Sequence, residues 1–322
     1  MQYRLDSTLD VDWASRMISR LLEADVHVRG VAQEPSGYSG GAFRFVVRTE
    51  SGARTDLLLK RVPDANVFRF HEDVLAPFAL NSPRMLGAFH RENENYNEHY
   101  VVMEYIPHAE PDWGDFERYR RAVDWLARRD ALLERHLDSV ASLDYIEPFA
   151  LPALEPILDR ARRAARAGLD PLISDSLVHS LEDANEWIRR AGRWLFHGPQ
   201  TVTHNDFQML NILFATGDRA GELYVVDWTY PAIGSVCIDL ATIVHVAPPE
   251  FRRKLIHRYL AARPVTDFPS IFAAAQAHVH LSILEWMIDA MESGQRHAIH
   301  RPKLREIVEH FLLDVRERLV AP

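Results

Sequence analysis

Cysteine is almost missing from this chain: of 322 residues only Cys237 carries a thiol. One cysteine forms no intrachain disulfide, which excludes the disulfide-framed scaffolds of small secreted proteins and makes the cytoplasm the expected setting. Long apolar runs are scarce as well. No uninterrupted run approaches the roughly eighteen residues of a membrane span. Asp6, Asp10 and Asp12 fall where an export signal needs an apolar core. The expectation is a chain with no export signal and no membrane partner. Positive charge is also in short supply. Lys+Arg 37 against Asp+Glu 46 leave a net charge of -9, the wrong sign for a general nucleic-acid surface, which needs clustered basic residues. The same acidity suits a cationic small substrate and, equally, a surface kept soluble by its charge.

Lysine is the rarest of the charged residues. It occurs only at Lys60, Lys254 and Lys303, the other 34 of the 37 basic residues being arginine. A chain that writes arginine almost everywhere nevertheless ends the apolar run Leu57-Leu58-Leu59 with Lys60. Either the placement is chance, or the position needs a compact ammonium that a planar guanidinium does not replace.

What is present belongs to an ordinary folded protein: 47% hydrophobic and 26% charged residues. The length implies two domains or one large bilobal unit. Val11, Trp13, Met17, Ile18, Leu21 and Leu22 form a helical stripe over 11–23. From about 27 to 106 the pattern turns strand-like. Phe43, Phe45 and Val47 alternate with their neighbours, Leu57–Leu59 reads as a buried strand, and Met85–His90 and Tyr100–Tyr105 flank a polar turn. A single helix is expected over Val67–Leu80. After Ile106-Pro107 the texture becomes helical, with helices expected over Phe116–Leu143, Pro156–Ala167, Ile173–Ala191, Pro249–Ala262, Ile271–Met291 and Lys303–Val320. Residues 201–228 interrupt this with two short apolar runs about a Gly/Asp turn, a hairpin signal. The predicted organisation is α+β, with a small antiparallel-sheet lobe over 1–106 and a larger, mainly helical lobe over 107–322 that holds the hairpin.

That hairpin carries the chemistry. In His204-Asn205-Asp206-Phe207-Gln208-Met209-Leu210-Asn211, Asp206 and Asn211 lie five apart, just before the strand Ile212–Phe214. The returning strand Leu223–Val226 delivers Asp227 at its end, so pairing the two strands brings Asn211 and Asp227 together. Two hard oxygen donors beside a third carboxylate suit a Mg²⁺ that arrives with a nucleotide's phosphates. Asp206 is then able to take the proton of an attacking hydroxyl. Read alone, one Asp-x4-Asn is a polar loop; the ordered set with Asp227 and Asp239 is harder to obtain by chance.

This order resembles the catalytic and metal-binding loops of protein-kinase-like phosphotransferases. It is most similar to the aminoglycoside phosphotransferase and choline kinase group, in which His-Gly-Asp is followed five residues later by Asn. Asp227-Trp228, Gly234 and Asp239-Leu240-Ala241 continue the resemblance, which spans roughly residues 30–245. It implies a bilobal protein-kinase-like fold and a kinase using ATP or GTP with Mg²⁺ held by Asn211 and Asp227. It also implies that Ser39, Gly40 and Gly41 belong to a phosphate-covering loop and that Lys60 contacts the α- and β-phosphates with Glu72 as its acidic partner. Met103, Glu104 and Ile106 would form the hinge that reads the base. The leading acceptor class is a hydroxylated antibiotic such as an aminoglycoside, which would make this a resistance enzyme. Choline, other amino alcohols and sugars are alternatives. A nucleotide-binding regulator without catalysis is an alternative of another kind, against which the intact Lys60, Asp206, Asn211 and Asp227 weigh. Two positions depart from the group's pattern. Asn205 replaces glycine, a change that asparagine's tolerance of positive φ permits, and Gln208 stands where the group commonly has His or Trp. The acidic stretch 107–200 fits a polycationic ligand or a solvated surface. Cys237 is expected to be a buried small hydrophobe, and His204, His278, His280, His297 and His300 are assigned no metal or base role.

Overall fold

Side chains of a strand alternate between the two faces of its sheet, and this alternation builds the first third of the chain. The computed structural model describes residues 11–22, 26–33, 42–49, 54–93, 96–150, 154–168, 173–175, 178–179, 181–182, 189–190 and 192–292. The predicted helix over Lys303–Val320, the glycine-rich loop and His297 and His300 lie outside them, and the predicted helix over Ile173–Ala191 lies only partly within them. Strands β1 (Val26–Gln33), β2 (Ala42–Thr49), β3 (Arg54–Val62), β4 (Met85–Asn93) and β5 (Tyr96–Glu104) form a five-stranded antiparallel sheet in the order β1-β2-β3-β5-β4. Phe45, Val47, Leu57, Leu59 and Val102 bury with Ile18 of helix α1 (Val11–Leu22) on one face. On the other face Val62, Val101 and Met103 bury with Val67 of helix α2 (Asn66–Phe70), and Leu58 packs against them. Lys60 lies between Leu58 and Val62 in this period-two pattern and so shares the α2 face.

The helix expected over Val67–Leu80 is shorter than its apolar pattern. After Phe70 the chain makes a π turn, His71–Leu75, in which the Ala76 N–H reaches back to the His71 carbonyl. Pro77 is the physical reason for the ending: it has no N–H to donate and its ring crowds the carbonyl four residues earlier. The turn closes with Ala79 at φ +50°.

Two compact units result. The sheet unit takes the described residues up to Asp112 and also Met209–Tyr230; the helical unit takes Trp113–Gln208 and the described residues from Pro231 onward. The hairpin assigned by sequence to the helical lobe therefore belongs with the sheet unit. Its strands β9 (Ile212–Ala215) and β10 (Leu223–Val225) pair antiparallel, and β6 (His108–Ala109) adds to β9, making a three-stranded sheet from the linker that follows residue 106.

In the helical unit, Asp115 caps helix α3 (Phe116–Arg135) by accepting from the N–H groups of Glu117 and Arg118. His136 leaves helical geometry, so the single helix expected to Leu143 is two, the second being α4 (Leu137–Ala141). Strands β7 (Glu147–Pro148), β8 (Gln200–Thr203) and β11 (Ala232–Ser235) make a small sheet in the order β7-β11-β8. Helix α5 (Leu154–Arg166) and the short α6 (Trp194–His197) precede β8, and α7 (Cys237–Val246), α8 (Pro249–Ala262) and α9 (Phe268–Glu292) follow β11. By length and composition α9 is apolar enough to cross a membrane. Its Leu281, Leu284, Met287, Ile288 and Met291 are instead buried against Ile157, Leu158 and Ala161 of α5, as in a core helix. Cys237 is buried and free, and burial pushes its thiol up to about 12, consistent with an inert packing residue.

Candidate active site

In the sheet unit, strand pairing fixes a cation and an anion from distant parts of the sequence. Lys60 is held on β3 between Ala42 of β2 and Val101 of β5. Its Nζ lies 2.5 Å from Asp227 Oδ1, with 16% and 31% of the two side chains exposed. The last register pair of the hairpin is Val225 with Ile212, and one step beyond it the Val226 N–H donates to the Asn211 carbonyl at 2.9 Å. Asn211 and Asp227 are thereby held at the same open end, and Asn211 is buried. Asp227 adopts φ +67°, a strain that for a non-glycine residue costs of order ~1–3 kcal/mol and persists where the surroundings enforce it. The Thr229 hydroxyl donates to the same Oδ1 that meets Lys60.

Lys60, Asp227 and Thr229 open on a largely apolar pocket also lined by Val67, Met85, Met103 and Val226. Glu72 does not join them. It is exposed on the π turn, whose buried side belongs to His71, Val74 and Leu75, and the acid paired with Lys60 is Asp227. Among the described residues no cluster of three or more His, Cys, Asp or Glu could hold a metal by itself. A carboxylate and a buried amide oxygen fit a Mg²⁺ that takes its remaining ligands from phosphates and water.

At the end of β5, Met103 turns its buried side chain into the cavity. Tyr105 N–H donates to the Asp56 carbonyl at 3.1 Å and Glu104 N–H to the Arg84 carbonyl at 2.9 Å, which hold the strand end against both neighbours. The Glu104 carboxylate accepts from the Arg84 N–H at 2.9 Å and from Arg219 at 2.8 Å. Burial acts to raise the carboxyl, but those two donors hold it below its ordinary value.

The helical unit carries the other part of the motif. β8 leads into His204, Asn205 and Asp206, and this loop hangs on one buried acid. Asp239 of α7 accepts the His204 N–H at 2.7 Å on Oδ2 and the Asn205 N–H at 2.9 Å on Oδ1. Asn205 has φ +64°, the conformation its side chain tolerates better than most. Arg129, fully buried in α3, donates to Asp239 at 2.7 Å and to Asp130 at 2.6 and 3.0 Å, and Tyr259 of α8 closes the set by donating to Asp130 at 2.7 Å. Burial alone would lower the Arg129 guanidinium, but the two carboxylates raise it. His204 is buried and accepts the Asp206 N–H at 3.3 Å, a packing and shaping role. The Gln208 amide donates to Asp206 Oδ1 at 2.6 Å, and Phe207 is buried against the Trp125 ring.

Sequence reasoning passed over Arg129, Asp130 and the contact made by Gln208. One signal was there: Asp130 stands on the same helical stripe as Tyr119, Val123, Leu126 and Leu133, a position otherwise apolar. Ser39, Gly40 and Gly41 lie outside the described residues.

A five-stranded antiparallel sheet flanked by helices, a lysine–aspartate pair on its inner strand and a hairpin, and a helical unit with an anchored Asp-containing loop define a protein-kinase-like α+β phosphotransferase. The model of the phosphotransferase enzyme family matches residues 36–270, well over half of the chain. The chain belongs to this family and is a phosphotransferase. No curated protein sequence matches it. Solved structures are similar along nearly the whole length. A point variant of aminoglycoside 2'-phosphotransferase-IIIa, solved with GDP, is 14% identical with a TM-score of 0.63, covering 95% of this chain and 97% of that one. The macrolide 2'-phosphotransferase MphH of Brachybacterium faecium is 18% identical with a TM-score of 0.53, covering 94% and 98%. A thermostable mutant of aminoglycoside phosphotransferase APH(4)-Ia, in complex with ADP and hygromycin B, is 13% identical with a TM-score of 0.55, covering 96% and 99%.

Proposed function

We propose that the chain transfers the γ-phosphoryl group of ATP or GTP to a hydroxyl of a small molecule, the acceptor being an aminoglycoside-like or other hydroxylated antibiotic. The observation that carries this reading is the 2.5 Å contact between Lys60 and Asp227 in the wall of an apolar cavity. A nucleotide exchanges that single contact for two: Lys60 takes α- and β-phosphate oxygens, and Asp227 with Asn211 takes the divalent cation that travels with them. The bound Mg²⁺ would supply charge neutralisation across the phosphates. The strand end that carries Met103, Glu104 and Ile106 would read the base. The family's structural neighbours with GDP, and with ADP and hygromycin B, support both a purine nucleotide and an antibiotic acceptor.

The acceptor hydroxyl must lose a proton as its oxygen attacks phosphorus. Asp206 receives it, because its carboxylate stands five residues before Asn211 on a loop whose backbone is tied to Asp239. Positioning and electrostatics then do most of the work, as befits a loose phosphoryl transition state. A reaction fed by ATP belongs to the cytoplasm, where one buried thiol is also at home.

Nucleotide affinity titrated against Mg²⁺ tests the carrying observation. Wild type binds more tightly as Mg²⁺ rises, and Asp227→Ala loses that dependence while keeping its fold. An Asp227→Ala variant with the wild-type Mg²⁺ titration contradicts the metal assignment.

A further inference from the structure

Two donors meet on one oxygen of Asp227. Lys60 Nζ lies 2.5 Å from Oδ1, and the Thr229 hydroxyl donates to the same atom. The two contacts differ in how easily they are withdrawn. Lys60 reaches Oδ1 along a flexible stem, so phosphate oxygens can draw its ammonium away. Thr229 has no such reach. Its side chain is short and stiff at χ1, and its backbone is tied down. The Thr229 N–H donates to the Asp227 carbonyl at 2.8 Å, closing the turn in which Asp227 takes φ +67°. Trp228, between them, is buried with its ring 5.3 Å from that of Phe70 in α2, and just ahead of the turn the Val226 N–H donates to the Asn211 carbonyl. Lys60, Asp227 and Thr229 line the same pocket. When the ammonium moves to phosphates, the hydroxyl stays on Oδ1.

We infer that Thr229 is a specificity-determining residue of this site: by holding Oδ1 it makes Asp227 a one-oxygen ligand and selects Mg²⁺ over Ca²⁺ as the nucleotide's cation. This rests on the metal reading given above, to which it adds the choice of ion. An oxygen that already accepts a proton from a hydroxyl has less electron density to offer a cation. Mg²⁺ loses little by this. It is small, demands a near-ideal octahedron and fills its other corners with phosphate oxygens and water. The two oxygens of one carboxylate stand too close together to occupy two of those corners. Ca²⁺ is larger, takes about six to eight oxygens and readily accepts both from one carboxylate. A fixed hydroxyl on Oδ1 therefore removes a ligand that Ca²⁺ would use, and discrimination comes from what is denied to the competing ion.

Equilibrium titration of ATP and of GTP, each in EDTA, in Mg²⁺ and in Ca²⁺, tests this on wild type, Thr229→Val, Thr229→Ala and Thr229→Ser, with thermal melting alongside. The readout is the ratio of nucleotide affinities in the two cations, which needs no turnover. Wild type is expected to favour Mg²⁺ by at least about tenfold, the scale of one contact to a charged group. Thr229→Val keeps the shape without the hydroxyl and gains affinity in Ca²⁺, bringing the two cations within about threefold. Thr229→Ala does the same and keeps the inference testable if the valine variant does not fold. Thr229→Ser restores the donor and holds the ratio within about twofold of wild type. A wild-type ratio near one overturns the inference. So does a folded valine or alanine variant at an unchanged ratio, even one that weakens both cation complexes alike, which would make the hydroxyl a clip for the turn alone. A serine variant that behaves like the valine one also overturns it. Failure of either cation to tighten nucleotide binding by folded wild type overturns the metal assignment itself, and this inference with it.

Discussion

Lys60 is where composition and geometry meet most closely. It is one of three lysines in an arginine-writing chain, and its Nζ approaches Asp227 at 2.5 Å on the α2 face of the sheet. A guanidinium would keep the charge but spread it over a wider plane, displacing either the carboxylate or the phosphates it is to hold. Lys60→Arg is therefore expected to melt within a few degrees of wild type and to lose at least about tenfold in kcat/KM for the nucleotide. Near-normal kinetics at normal stability would make Lys60 an ordinary strand-end residue. The lysine's place on a buried strand was legible because its neighbours are apolar. The positive φ of Asn205 was legible too, since asparagine standing for glycine in a tight loop has few other reasons. Glu72 was misplaced by the same style of reasoning. It is the only glutamate between residues 51 and 91, and being the only acid of its kind does not turn a side chain inward.

At the scale of elements, the loop that bears Asp206 depends on α3 and α7 through Arg129, Asp130 and Asp239, all fully buried. Removing one member of a buried ion cluster leaves uncompensated charge in the interior and typically costs about 3–5 kcal/mol. Arg129→Met strands two carboxylates, so urea unfolding should show a loss of that size. A loss under about 1 kcal/mol would mean that the cluster is not what anchors the loop. Helix α8 was read from its sequence with both ends in place, because Pro249 marks its start. Helix α7 was not read as a helix. All of its residues are buried, so it has no polar face and hence no amphipathic period to detect. Strands β7 and β11 escaped for another reason: each is short and pairs with a partner far away in sequence, which no local pattern records.

For the whole molecule, the α+β organisation followed from a strand-rich first third and a helix-rich remainder, and the family and its structural neighbours agree with it. The division between units is less local. The chain passes between them at Asp112 and again at each end of Met209–Tyr230, because β6 from the linker recruits β9 into its own sheet. One consequence is that Asp206 and Asn211, five residues apart, are built by different units, each with its own supports. The central claim is that the chain moves a phosphoryl group to an alcohol. Incubation with Mg²⁺ and ATP labelled in its γ-phosphate, against a panel of aminoglycosides, macrolides, choline and sugars, tests it directly. The account predicts that label becomes covalently attached to a hydroxyl of an antibiotic in the panel. It also predicts that Asp206→Asn, still binding nucleotide, transfers it at least about a hundredfold more slowly. Label released only as inorganic phosphate, or an Asp206→Asn variant transferring at more than a third of the wild-type rate with chemistry rate-limiting, would contradict it.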